Sequence, residues 1–432
     1  MTGLSDRRST SARSARSRPR VGRAVGVSAS VAITMTLTGW ALAPGAIAAR
    51  PGIGTPTAAV TAAGTAVAWG DNHTGQLGDG TVIDRTTPVG VILPLGTKVT
   101  AVATGGKHSL ALTSAGTVLA WGSNSHGQLG DGSMADSHVP VPVSLPHGTV
   151  ITALAAGGGH SLAVTAAGQV LAWGDNEYGQ LGNGSTRDSD VPVRVRLPRG
   201  ARVVAVHASY NYSIALTAGG HVLTWGYNGS GQLGNGYHTA SDVPTRVRLP
   251  KGTTVRAIAT GGFDGLALTT AGHLLAWGDN RYGQLGVGTR GSSDVPLRVK
   301  LPAGTKVVAI AGGSQHTLAL TSSGRVLAWG WNVYGQLGDG TTRDRHVPVR
   351  VRLPAGVSVT AVSAGGGFSV ALTSTGRILA WGHNQFGQLG DGRTASSRLP
   401  VTVRLPAGLV GLALAAGPTT RHSLAVVAPS AP

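Results

Sequence analysis

Four histidines, His108, His160, His316 and His422, each open the same short segment, His-Ser/Thr-Leu-Ala. Turned toward one centre, they would form a ring of imidazoles able to hold a metal ion. The equivalent position in other copies carries Tyr212, Asp264 and Phe368, so that ring is chemically broken and no metal site is expected. General acid–base work needs carboxylates that depart from the repeated pattern. Most of the 17 Asp and Glu recur at fixed offsets, as turn caps do. Glu177 and Asp264 do not recur, but they lie in different copies and nothing in the sequence brings them together. A hydrolase using them as a pair is therefore the weakest reading. Gly105-Gly106-Lys107 lacks the spacing of a phosphate cradle, and no dinucleotide or calcium-loop pattern occurs, so no cofactor is expected. With no cysteine, thiolate zinc sites, cysteine nucleophiles and disulfides are excluded.

What remains is recognition. The chain has 3 Phe, 7 Tyr and 9 Trp. Seven of the Trp form a framework, and most other aromatics fall at variable positions two and five residues after a framework Trp, or in the short loop around a Gly-Gly pair. Asp71/Thr74, Ser123/His126, Asp175/Tyr178, Tyr227/Ser230, Asp279/Tyr282, Trp331/Tyr334 and His383/Phe386 make up the first set. Tyr178, Tyr210, Tyr212, Tyr227, Phe263, Tyr282, Trp331, Tyr334 and Phe386 are the expected partner-binding residues, because aromatics gathered in loops have the composition of interface hot spots.

The elements that position them repeat without interruption. Trp69, Trp121, Trp173, Trp225, Trp277, Trp329 and Trp381 are spaced by 52 residues, with Asn three residues on and Gly-Gln-Leu-Gly six residues on. Such a period signals a propeller or solenoid. Each unit reads as four short strands. His160–Thr165 and Gln169–Trp173 flank a tight turn; Val191–Leu197 alternates apolar and basic residues, with Pro192 marking the start of an edge strand; Arg202–Val206 is the fourth. Residues repeated in seven places meet one structural need seven times. The Trp packs between units, and the Asn and Gln tie the loop back on itself. The hairpin-opening strand occurs once more at the C-terminus, as His422–Val427, without a Trp strand to follow it. An all-β, seven-bladed β-propeller follows, closed by pairing the C-terminal strands with Thr65–Gly70 in one blade. The extra residues in Gly417–His422 predict a longer loop at that seam.

Gly-x-x-His-Ser-Leu-Ala-Leu-Thr followed by Gly-x-Val-Leu-Ala-Trp-Gly-x-Asn-x-x-Gly-Gln-Leu-Gly, found at Gly105–Gly130 and recurring through Val427, resembles the repeat of the regulator of chromosome condensation family. The resemblance implies a seven-bladed propeller. In the founding eukaryotic members it also implies guanine-nucleotide exchange on a small GTPase and binding to chromatin or other nucleic acid. That exchange uses a wedge projecting from one blade, which seven equal spacings leave no room for. In character the chain more closely resembles secreted bacterial propellers with these repeats, some of which are protein inhibitors that bind through one face of the ring.

Residues 1–48 read as an export leader: seven Arg between Arg7 and Arg23, an apolar stretch from Ala24 to Leu42, then Ala46-Ile47-Ala48 as the cleavage signal. Residues 49–64 form a linker with a degenerate strand at Pro56–Thr61, residues 65–427 the propeller, and residues 428–432 a tail. The expected product is a secreted monomer, free in the extracellular medium or wall-associated, with no membrane span after cleavage. Its expected partner is a protein or an anionic cell-envelope polymer, with no small-molecule substrate. Of the net charge of +18 the leader carries +6, seven Arg against Asp6, leaving +12, and the basic residues of the rest cluster on the third strand and just beyond it (Arg194, Arg196, Arg246, Arg248, Arg298, Arg350, Arg352, Arg404), as a basic girdle.

Overall fold

The computed structural model describes residues 63–430, so the leader at 1–48 and the degenerate strand Pro56–Thr61 lie outside the described residues. The described chain forms seven four-stranded antiparallel sheets. In the Trp173 blade the order from the axis outward is the inner strand Ile151–Ala156, the hairpin strand His160–Thr165, the Trp strand Val170–Gly174 and the outer strand Ser189–Arg194. The expected fourth strand exists, as Val203–Ala208, but it is the inner strand of the next blade, paired with Tyr212–Thr217. A repeat in sequence has a period but no phase, and hydrogen bonding sets the phase one strand away. For the same reason the Gly-Gly loops connect two strands within a blade, although they bond outward to the next one: Gly106 N donates to Gly157 O and Gly262 N to Ser314 O.

Each Pro of the Pro88 to Pro400 series sits fourth in its six-residue outer strand rather than at the start. That is where the ladder breaks; Ser189 pairs with Gly174, and pairing resumes only at Val193 with Ala172. A residue without an N–H is tolerated at an edge and at an irregularity, and both conditions hold there.

Closure is by two strands from each end. Leu409–Ala415 and His422–Pro429 join Thr65–Gly70 and Arg85–Gly90 in one sheet, with Trp69 opposite Ser423 and Gly70 opposite His422. The seam loop, residues 416–421, has six residues where the Trp173 blade uses three.

Every framework Trp is fully buried between blades. Its indole Nε1 donates to the backbone carbonyl of the Gln in the preceding blade, from Trp121 to Gln76 at 2.9 Å round to Trp69 and Gln388 at 2.9 Å. The Gly after Gln-Leu must adopt positive φ and leave space for that indole. At Gly182, with φ +65°, a Cβ would stand 2.7 Å from Trp225 Nε1. The repeated Asn folds the loop: Asn176 Oδ1 accepts Leu181 N, while its Nδ2 donates to Ser185 O and Arg187 O. The repeated motif is thus a joint between blades.

Candidate binding face

The loop that follows each Trp strand and the Gly-Gly loop leave their sheet at the same end, because strands alternate in direction. The backbone N–H of the residue five after Trp is held by the loop Gln, as in Tyr178 N to Gln180 Oε1 at 2.9 Å. This fixes the direction in which the variable side chain leaves. It reaches across the blade boundary to the residue two after the next Trp. Tyr178 meets Tyr227 edge-on, with centroids 5.0 Å apart, and Tyr227 meets Phe263 at 6.0 Å. Phe263 stacks on Tyr210 at 5.0 Å and 16°. A second string runs Tyr282, Trp331, Tyr334, His383, Phe386 and His73, with neighbouring centroids between 4.3 and 6.3 Å. The Arg421 guanidinium caps it, 5.2 Å from the Phe386 ring centre.

Eight of the nine expected residues belong to these two strings, and all eight are at least partly exposed. Tyr212 does not. It is fully buried at the start of its hairpin strand, where its hydroxyl donates to the Asp264 carbonyl oxygen. It shares its column with four buried His and with Phe368, also fully buried, and that shared position in the repeat was the available signal. His73 and Arg421, outside the expected set, complete the second string.

The four histidines do not turn to a common centre. Each Nε2 lies 2.9 Å from a Ser Oγ of the next blade: His108 with Ser161, His160 with Ser213, His316 with Ser369, His422 with Ser109. Each of these Ser hydroxyls donates onward to a Gln carbonyl, as Ser161 does to Gln128 O. The Ser therefore accepts from the imidazole, which must carry its proton on Nε2. Burial pushes the pKa of His108, His160 and His316 down to about 3 and that of His422 to about 4, so all four are neutral.

Glu177 is exposed beside Tyr178, whereas Asp264 is fully buried with both carboxylate oxygens unpartnered. They do not form a pair. Burial, and then the charge of Asp279, raises the Asp264 pKa well above the usual carboxylate range. Asp264 occupies the histidine column, and the Thr317 hydroxyl of the next blade already donates to Gln284 O at 2.9 Å. Asp264→His should restore the missing joint by donating to Thr317, and stabilise the fold by roughly 1–2 kcal/mol in urea unfolding at pH 7. Because a raised carboxyl pKa costs stability only as pH climbs above the unfolded value, the gain should shrink at pH 4.

Among the described residues, two groups bring three ligand-type atoms within 4.8 Å of one another, Asp71/His73/Asp84 and His126/Asp175/Asp188. Their atoms already have local tasks. His73 Nδ1 pairs with Asp71 at 2.6 Å, a contact that raises its pKa; Asp84 caps Asn72 N and Asp188 caps Asn176 N.

Residues 65–425 match the RCC1-like domain. The ultraviolet-B receptor UVR8 of Arabidopsis thaliana is 36% identical over 333 residues, covering 77% of this chain and 76% of the receptor. The human E3 ubiquitin-protein ligase HERC2 is 36% identical over 357 residues, 81% of this chain but only 7% of the ligase. Among solved structures, human WBSCR16 superposes with a TM-score of 0.75 at 26% identity, covering 84% of this chain and all of WBSCR16. Prp20p of Saccharomyces cerevisiae, a protein studied for binding Gsp1p and histones, has a TM-score of 0.77 at 24% identity over 87% of this chain and 94% of Prp20p, a likeness of fold.

Proposed function

This chain belongs to the RCC1-like domain family, and from that premise we propose that it is an exported, non-catalytic binding propeller that engages a protein or cell-envelope partner through its aromatic loop end. The continuity of the two aromatic strings carries the reading. Rings from separate blades brace one another, so their rotamers are set before a partner arrives and little ordering remains to be done. Tyr and Trp in such a setting are the residue types on which binding energy concentrates. The separation of Glu177 from Asp264 argues against a hydrolase. The loops between Trp strand and outer strand are fourteen residues long in all seven blades, so none supplies the projecting wedge of an exchange factor.

Trp331→Ala and Tyr227→Ala should each weaken partner capture by about 2 kcal/mol, roughly a thirtyfold loss in affinity. The partner is first recovered from culture supernatant and cell-wall fractions with the intact propeller as bait, and its affinity is then titrated. Unchanged affinity of the double variant would remove the site from this face.

A further inference from the structure

The charges of the propeller are sorted by strand end. All sixteen Asp and Glu among residues 63–430 lie between a framework Trp and the second residue of the following outer strand, or, for Asp264, at the first residue of a hairpin strand. That is the loop end, where the aromatics are. The opposite end comprises the far part of each outer strand, the Leu-Pro turn and the tight hairpin. It carries no carboxylate and seventeen of the twenty-seven Lys and Arg. Arg85, Arg281 and Arg345 pair with Asp79, Asp279 and Asp339, all at the loop end. None of the seventeen forms an ion pair among the described residues.

These cations are also sorted around the ring. Arg196, Arg248, Lys300, Arg352 and Arg404 mark five consecutive blades at one position, where the remaining two blades have Ile92 and Ser144. Arg194, Arg246, Arg298 and Arg350, two residues earlier, mark four of the same five. All nine side chains are exposed. In the middle of this sector an open groove of about 780 Å³ separates the hairpin ends of the Trp277 and Trp329 blades. Arg256, His273, Arg298, Lys300 and Lys306 line it, with no acidic residue. Arg256 is fixed there by donating to Thr269 O and Val307 O.

We propose that the hairpin end binds a polyol-phosphate chain, a flexible polymer of phosphodiesters joined by short polyol spacers, laid along the five-blade belt and through this groove. Unpaired cations facing a carboxylate-free surface attract an anion of high charge density. Residues two apart on an extended segment stand about 6.6 Å apart, a spacing that a three-carbon link between phosphates matches and the single-oxygen link of inorganic polyphosphate does not. No Phe, Tyr or Trp of the described residues lies at this end to stack a base, and a belt that bends around a small ring suits a flexible chain better than a duplex that stays straight over roughly 150 base pairs.

The test uses the full chain and poly(glycerol phosphate) of defined length, titrated at several salt concentrations. Arg298→Gln, Lys300→Gln and Lys306→Gln together should reduce affinity at least about tenfold at low salt and flatten the slope of log affinity against log salt by roughly 2 to 3. Arg187→Gln, Arg343→Gln and Arg393→Gln remove the same charge from the loop end and should change neither quantity; any contribution from the arginines at 7–23 is common to both variants. Trp331→Ala should also leave this binding intact, which separates it from the aromatic face. Equal losses in the two triple variants would reduce the effect to net charge and overturn the proposal. So would tighter binding of inorganic polyphosphate or duplex DNA at equal phosphate concentration.

Discussion

A chain ending at Arg421 should not form the closed ring, and should lose on the order of its entire folding stability. The missing strand supplies Leu424, Ala425, Val426 and Val427, all fully buried, and they alternate between two cores: Leu424 and Val426 pack with Trp121, Ala425 and Val427 with Trp69. Burying the Leu and the two Val contributes roughly 5–9 kcal/mol as an upper bound, against a total that is typically about 5–15 kcal/mol. The deletion also leaves Thr65–Gly70 without its six-residue ladder, exposes the far edge of Leu409–Ala415, and removes the His422 partner of Ser109. Thermal unfolding of the truncated chain should show a broadened transition far below that of the full chain, or none. A circular permutant that joins residue 430 to residue 63 and opens the turn at Gly200 keeps all four strands of the seam blade, and should retain a sharp transition. A truncated chain as stable as the full one would mean that the seam contributes little to the ring.

The closure was legible because the last hairpin strand, His422–Val427, has no Trp strand after it while the first Trp strand, Thr65–Gly70, has only a degenerate hairpin strand before it, a fact of sequence order that needs no side-chain geometry. The joint was legible for a similar reason: Trp, Asn and Gln held constant while their surroundings vary implies a shared backbone task. The blade boundary was not. Nothing in a period of 52 says whether Val203–Ala208 closes one sheet or opens the next, and only its ladder with Tyr212–Thr217 decides. The face was readable as positions but not as contacts. Tyr178 and Tyr227 are 49 residues apart, and their edge-on packing depends on how one blade is rotated against another, which no local pattern encodes. Tyr212 shows the converse: an aromatic in a loop-like neighbourhood belongs to a buried column, and the column, not the residue type, determines its environment.

That buried column predicts marked acid sensitivity. His108, His160, His316 and His422 are joined by His207, and all five are buried, the pKa of each lowered first of all by burial, to about 3, or about 4 for His422. In the unfolded chain they titrate near 6.5. Above that value these five imidazoles are neutral in both states and add no pH dependence. Below it the unfolded chain binds protons that the folded ring refuses, so stability falls as pH drops from about 6.5 toward 3, by up to about 1.4 kcal/mol per proton for each pH unit. Five such groups give a limiting slope near 7 kcal/mol per unit. Asp264 works in the opposite direction, since its raised pKa makes the folded state the better proton binder between the usual carboxylate value and its own. One group offsets only about a fifth of the effect. Urea midpoints should therefore change far less between pH 8 and 7 than between pH 6 and 4.5, where they should fall steeply, with proton uptake on unfolding. His160→Gln, which can still donate to Ser213 without taking up a proton, should be less stable at pH 7 yet reduce the slope by about one proton. A slope unchanged by that substitution would show that His160 is not among the groups that make the ring fail in acid.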